Sequence, residues 1–313
     1  MLEFKEIELS DKPWVNEFFR YSDLRSSESN FTSLFIWKNI YQTRICRYKD
    51  FLFVRSGYEH PDNPGSAYYL FPFGKGDVRE AVEAMREDAR SLGVSFNMSS
   101  VSVGQKAVLE ELYPGEFRYI LVRDSFDYVY NAADLITLKG RKYQPKRNHI
   151  ARFKELPDWE YEAVGTHNIQ ECAAMNDHWC KMYGCKENLS MTQESCAVRC
   201  AIKNFEGLGL KGGLLRVEGK VVAFSLGEMT NSDTFLVHIE KAFANINGAY
   251  PVINQEFLIH QMITPYMPGE DLTPERIGFK YVNREDDAGD EGLRKAKLQY
   301  HPAFLIEKYV VRE

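Results

Sequence analysis

The sequence predicts a protein of mixed α/β class built from two domains. Three observations lead there. The chain has 313 residues, about twice the length of a typical single domain. Each half runs through strands, helix, strand, helix and strand, as apolar alternation of period two gives way to helical spacing and back again. Between the halves lies a stretch of different character, 139–154, which carries Lys139, Arg141, Lys142, Lys146, Arg147, Arg152 and Lys154 with no Asp or Glu among them. We therefore divide the chain into domains 1–130 and 131–313.

In the first half, Phe4–Leu9 reads as a short strand. Ser10 and Asp11 then cap a helix that places Trp14, Phe18 and Phe19 on one face. Strands follow at 43–48, 51–56 and 67–71, the first two joined by a turn at Lys49–Asp50, with the loop HPDNPGS before the third. Helical spacing of Val78, Ala81, Val82, Met85 and Ala89 predicts a helix over 77–92. A strand over 94–101, a helix over 105–112 and a strand over 116–127 complete the half. In the second half a strand is expected at 159–163 and helices at 167–183 and 192–205. Three strands follow at 212–217, 221–228 and 234–240, then a helix over 250–262. A strand at 276–281, a helix at 291–298 and a strand at 304–311 end the chain.

Composition narrows the functional classes. Hydrophobic residues make up 44% and charged residues 27%, an ordinary globular balance. No apolar run reaches the ~20 residues of a membrane span, and the N-terminus MLEFKEIELSDKPW has no apolar leader, so a cytoplasmic protein is expected. Cys46, Cys172, Cys180, Cys185, Cys196 and Cys200 form no CxxC pair and read as reduced thiols. His178, Cys180 and Cys185 are the only start of a metal site, and no metal is expected. No resident cofactor is indicated.

The net charge is -6, so the positive charge of 139–154 is local, and a local field attracts a phosphate-bearing partner. Pro145 suits the first turn of a helix whose face holds Ile150, Phe153 and Leu156. Free backbone donors there, with Lys142, Lys146, Arg147 and Asn148, read as a phosphate pocket; a solvated basic helix is the plain alternative. In FKYVNREDDAGDEGLRKAKLQY, Asn283, Arg284, Glu285 and Asp287 follow a strand and suit an acceptor-binding or general-base role. Arg294 and Lys297, three apart on a helix, are placed to meet one anionic group; a capped helix with complementary end charges is the alternative. His238 and Glu240 alternate on one strand with Lys241 beside them, and are the catalytic candidates.

The segment VAFSLGEMTNSDTFLVHIEKAFANINGAYPVINQEFLIH resembles the GNAT-fold acyltransferases, in which a bulged strand splays from its neighbour and the next helix faces the donor's phosphates. That resemblance implies donor contacts at Asn247 and Gly248; Tyr250, which opens a helix next to Pro251, is placed either to contact the donor or only to pack. The usual coenzyme A loop, with its Gln or Arg, is not matched. Together with KGRKYQPKRNHIARF, NREDDAGDEGLRKAKLQYHP and YSDLRSSESNFTSLFIWKN, the chain resembles a bacterial family related to the C-terminal domain of phosphatidylglycerol lysyltransferase, similar also to the Fem-type aminoacyltransferases. No counterpart of the lysyltransferase's membrane half is seen. The resemblance implies two tandem GNAT-like acyltransferase domains and transfer from aminoacyl-tRNA, recognised at its acceptor end, to an amine or hydroxyl on a small molecule, peptide or lipid. Acyl-CoA as donor, and a silent module that binds phosphate or nucleic acid, are the alternatives.

Overall fold

The computed structural model describes residues 2–57 and 66–313. All of the expected loop at 60–66 but its last residue lies outside the described residues. The chain forms two compact units. The first comprises residues 1–127, 286–294 and 305–313, and the second comprises 128–285 and 295–304.

The first unit contains β1 (Lys5–Glu6), α1 (Lys12–Ser22), α2 (Phe31–Ile36), α3 (Lys38–Tyr41), β2 (Arg44–Tyr48), β3 (Phe51–Ser56), β4 (Tyr68–Tyr69), β5 (Phe73–Gly74), α4 (Val78–Ser91), β6 (Asn97–Ser102), α5 (Val103–Leu112) and β7 (Arg118–Leu121). Helix α4 starts where it does because the Asp77 carboxylate accepts from the amides of Arg79 and Glu80. Its Ala81, Val82, Met85 and Ala89 pack with Phe53, Tyr69, Phe96 and Met98 in one apolar core. The same helix brings in one buried acid, Asp88, which accepts from Arg55 Nη1 at 2.7 Å and from the Tyr69 hydroxyl at 2.6 Å.

The second sheet gathers β8 (Asp127–Asn131), β9 (Glu160–Ala163), β10 (Lys211–Val217), β11 (Lys220–Met229), β12 (Thr234–Ala242), β13 (Tyr281–Asn283) and β14 (Phe304–Ile306), in the order β14-β8-β13-β12-β11-β10-β9. Between these strands run α6 (Ala132–Thr137), α7 (Gln144–Lys154), α8 (Ile169–Tyr183), α9 (Leu189–Lys203), α10 (Phe205–Leu208), α11 (Ala249–His260), α12 (Pro274–Ile277) and α13 (Glu291–Leu298). Helix α11 packs on β10, β11 and β12 and against α6 and α7, while α8 packs on β11 and against α9. The last strand, β15 (Lys308–Arg312), sits between β6 and β7 in the first sheet.

Several local expectations change. The strand expected at 276–281 is instead the short helix α12 followed by β13. Pro274 begins that helix and Gly278, at φ +94, ends it, a left-handed position that favours glycine. The strand expected over 304–311 breaks at Glu307 and divides between the two sheets. Cys180 and Cys185, expected as thiols, form a disulfide. Helix α8 ends in a left-handed turn at Gly184, which brings the two Cα atoms to 4.9 Å, within bonding range. Their sulfurs are thus bound to each other. Among the described residues, no group of three or more His, Cys, Asp or Glu could hold a metal ion.

The segment SSES at 26–29 gains a structural reading. Lys308, 1% exposed at its side chain, places Nζ 2.7 Å from Asp127 Oδ1, 2.7 Å from Glu28 and 3.2 Å from Ser27 Oγ. Ser27 donates its amide to Asp127 at 2.8 Å, and Ser100 donates to Glu28 at 2.9 Å. A buried ammonium is thereby ringed by oxygen acceptors, which is the condition for keeping it charged inside a protein.

Candidate functional site

The second unit's sheet opens into a notch on β12. Strand β13 pairs with β12 in parallel only from Thr234–Tyr281 to Leu236–Asn283. Beyond that the chain leaves at Arg284 while β12 continues to Ala242. On its other side β12 pairs with β11, and the register shifts so that Gly227 faces Val237 and Leu226 faces Ile239. His238 is the extra residue of this bulge, and the bulge re-aims the side chains that follow it. Glycine is required opposite, because a Cβ on Gly227 would lie 2.5 Å from the Leu236 carbonyl oxygen.

Residues Glu240 and Lys241 then point to opposite faces, as successive strand residues do. The Glu240 carboxylate accepts from Arg284 Nη2 at 2.6 Å and from Asn254 Nδ2, on α11, at 2.8 Å. Arg284 is 10% exposed at its side chain and Glu240 is 11% exposed. The guanidinium lies 4.8 Å from the Tyr300 ring and 5.7 Å from the Tyr130 ring, which suits a delocalised cation. Lys146 Nζ, from α7, lies 4.2 Å from the centre of the same Tyr300 ring. Burial first, then the charge of Arg284, pushes the Lys146 ammonium below its usual range, with Glu240 opposing.

Three buried polar atoms of this cluster have no hydrogen-bond partner among the described residues: Arg284 Nε, Arg284 Nη1 and Asn254 Oδ1. Unmet polar atoms in a protein interior cost about 1–3 kcal/mol each, more where charge is involved. The cluster thus holds two donors and one acceptor around a single carboxylate, all unspent.

The other residues singled out in the sequence are placed as follows. Lys241 faces α8 and α9, where Nζ lies 3.1 Å from Glu194 and 3.7 Å from the centre of the Trp179 ring; burial lowers its pKa against the pull of Glu194. His238 has no exposed side-chain surface and lies between Glu285 and Glu228. Asn283 accepts from the Glu285 amide at 2.7 Å. Arg294 and Lys297 do not converge on one anion. Arg294 bonds to Asp287 and Asp124, while Lys297 Nζ donates to the carbonyl oxygens of Arg284 at 2.6 Å and Glu285 at 3.2 Å. Asp287 is fully buried and also meets Arg123 at 3.3 Å, so it is a structural acid of the first unit.

The basic stretch is partly consumed within the protein. Arg147 donates to the carbonyl oxygens of Leu138 and Gly140 and so closes the end of α6. Lys154 pairs with Glu256 at 2.7 Å, Lys139 with Asp271 at 3.3 Å and Lys142 with Asp134 at 3.7 Å. Exposed Arg141 and Arg152 have no ion pair among the described residues, and Asn148 is exposed beside them. Gly248, at φ +88, abuts α7, where a Cβ would fall 2.2 Å from the His149 carbonyl oxygen. Asn247 Oδ1 meets His149 Nδ1 at 2.7 Å, and burial pushes the Tyr250 hydroxyl up to about 12.

Sequence reasoning passed over Asn254, Tyr130, Tyr300 and Glu228 as site residues. One signal existed for Asn254: it is a polar residue beside Val252, Ile253, Phe257 and Leu258 in a helix otherwise apolar on that face, where a buried amide needs a partner.

An antiparallel meander, a bulged strand, a neighbour that parts from it and a covering helix define a GNAT-like fold of mixed sheets. The chain belongs to the family described as phosphatidylglycerol lysyltransferase, C-terminal, whose model matches residues 19–312. A conserved protein of unknown function from Bacteroides thetaiotaomicron is 38% identical, with a TM-score of 0.89 over 100% of this chain and 99% of that one. The structure of L-PGS from Bacillus licheniformis shares the fold at 13% identity and a TM-score of 0.61, covering 96% and 91% of the two chains. FemX does so at 9% identity and a TM-score of 0.61, covering 99% and 97%. An uncharacterised protein of Mycoplasmoides gallisepticum is 23% identical over 197 residues, which span 62% of this chain and 58% of that protein. No helix among the described residues is long and apolar enough to cross a membrane.

Proposed function

We propose that the protein is an aminoacyltransferase that moves an aminoacyl group from charged tRNA to an amine or hydroxyl acceptor, with the reacting ester held in the β12 notch. The observation that carries this reading is the set of unspent polar atoms around Glu240. An aminoacyl ester bears an amino group and a carbonyl oxygen on adjacent carbons. Asn254 Oδ1 and the Glu240 carboxylate suit the amino group, and the free Arg284 donors suit the carbonyl oxygen. As the acceptor nitrogen or oxygen bonds to the carbonyl carbon, that oxygen gains charge, and a fixed guanidinium stabilises it. The ester C–O bond then breaks, the tRNA 3′ oxygen leaves, and the proton released by the acceptor balances it. An acyl thioester without an amine would leave Asn254 Oδ1 unmet. The close approach of Gly248 to α7 also argues against a pyrophosphate seated at the start of α11. Since charged tRNA is cytoplasmic, we place the protein there.

The test is a thermal-shift panel of aminoacylated tRNA, uncharged tRNA and coenzyme A thioesters. Ligand at a hundredfold excess over its Kd stabilises by about 2.7 kcal/mol, so a tRNA-dependent shift is expected. A shift with thioesters alone would overturn the reading in favour of CoA chemistry, and no shift with either would leave a silent binding module.

Arg141 and Arg152 give a second measurement. The Arg141→Ala/Arg152→Ala double variant is expected to weaken tRNA binding and to reduce the slope of log K against log salt by about two, with no loss of thermal stability. An unchanged slope would remove both from the tRNA path. Arg147→Ala, by contrast, should destabilise, because two carbonyl oxygens lose their donor.

A further inference from the structure

His238 has no accessible side-chain surface. Its Nδ1 lies 3.0 Å from Glu285 Oε1 and its Nε2 lies 3.2 Å from Glu228 Oε1. The charged groups facing the ring are therefore Glu228 from β11 and Glu285 from the turn after β13. An ionised carboxylate offers only lone pairs, so each contact needs an N–H on the ring. A neutral imidazole has one such group and an imidazolium has two. Both contacts are satisfied together only by the charged ring.

What this clamp holds is the turn that carries Arg284. Glu285 adopts a left-handed conformation, φ +55, which residues with a side chain adopt uncommonly. Its amide donates to Asn283 Oδ1, and its carbonyl oxygen accepts from the Tyr128 amide at 3.1 Å. The preceding Arg284 donates its own amide to the Tyr128 carbonyl oxygen at 3.0 Å. Fixing the Glu285 carboxylate therefore fixes the backbone from which the Arg284 guanidinium reaches Glu240.

We propose that His238 is a positioning residue: its imidazolium staples Glu228 to Glu285 and so aims Arg284 into the notch, which makes engagement of the ester depend on pH. This rests on the reading of the notch as the donor site. Burial pushes the ring's pKa down, but the hydrogen bonds to Glu228 and Glu285 outweigh burial and raise it from 6.5 to about 9. A folded-state value above the ordinary one means that the staple is fully present below pH 6.5 and is lost as pH rises through about 9.

The experiment reads the staple first without substrate. In ¹⁵N-labelled full-length protein, the His238 ring nitrogens, assigned by their loss in His238→Gln, are both expected to be protonated at pH 7.5 and to titrate near 9. The Arg284 Nε–H resonance is expected to move through the same transition. A neutral ring at pH 7.5, or an Arg284 signal indifferent to that titration, overturns the proposal whatever the activity. The second arm is aminoacyl transfer against pH. Wild type should lose kcat/KM above about pH 9, whereas His238→Gln should show a level roughly ten- to a hundredfold lower with that alkaline limb gone. A limb unchanged in His238→Gln overturns the proposal. Absence of transfer by the wild type at every pH counts against the aminoacyl reading alone, and the resonance arm still decides the staple.

Discussion

Arg284→Met is expected to lower aminoacyl transfer by about 10²–10³-fold, the usual loss when a donor to a developing oxyanion is removed. The loss should appear in kcat as well as in kcat/KM, because the free N–H groups matter most once the carbonyl oxygen carries charge. The single variant has a second effect. It leaves the Glu240 carboxylate 11% exposed with Asn254 as its one remaining partner at the site, and breaking a buried ion pair from one side costs about 3–5 kcal/mol. The Arg284→Met/Glu240→Gln double variant removes both charges and should recover most of the lost thermal stability. Steady-state transfer measured beside thermal unfolding separates the roles. Stability restored with activity still absent is the expected pattern. Activity restored along with stability would show that Arg284 serves only the fold.

Lys308→Met should destabilise the first unit by about 3–5 kcal/mol, which corresponds to a fall in Tm of roughly 10 °C. The reason is the company left behind: Asp127 fully buried and Glu28 a quarter exposed, with Ser27 and Ser100 unable to supply a charge. The pH dependence follows from the same cluster. Burial works against both charges and is outweighed, for Lys308 by Asp127 and Glu28 and for Glu28 by Lys308. Glu28 thus titrates below its ordinary 4.5, so its contribution is present above that pH and is lost as pH falls through the lower folded value. Lys308 titrates above 10.5 and keeps its contribution until well beyond that. Calorimetric unfolding from pH 3 to 7 should show this acid-side slope in wild type and a shallower one in Lys308→Met. Equal slopes would separate Glu28 from the effect.

Most helices and strands were legible because local rules govern them, whereas the return of 286–294 and 305–313 to the first unit was not. The Asp77 cap, the spacing of Ala81, Val82, Met85 and Ala89, and the largely apolar run along 221–226 each depend on residues a few positions apart. The same is true of the basic charge of 139–154, which is a count. What that charge does is not a count. Arg147 is spent on the carbonyl oxygens of Leu138 and Gly140, while Arg141 and Arg152 face solvent. Nothing in the spacing of these residues distinguishes them.

By itself, then, the sequence determined the class of fold, most of the helices and strands and which stretches hold the reactive residue types, because propensity and periodicity act over one or two turns of chain. Tertiary structure alone decided which of those residues meet. Alternation on β12 placed His238 and Glu240 together, but the bulge opposite Gly227 sends His238 to Glu228 and Glu285 and Glu240 to Arg284, 44 residues away in the chain. Lys308 reaches Glu28 across 280 residues. Such pairings depend on register, on where parallel strands part and on the cost of burying a charge without a partner, and those terms are defined only once the sheets have closed.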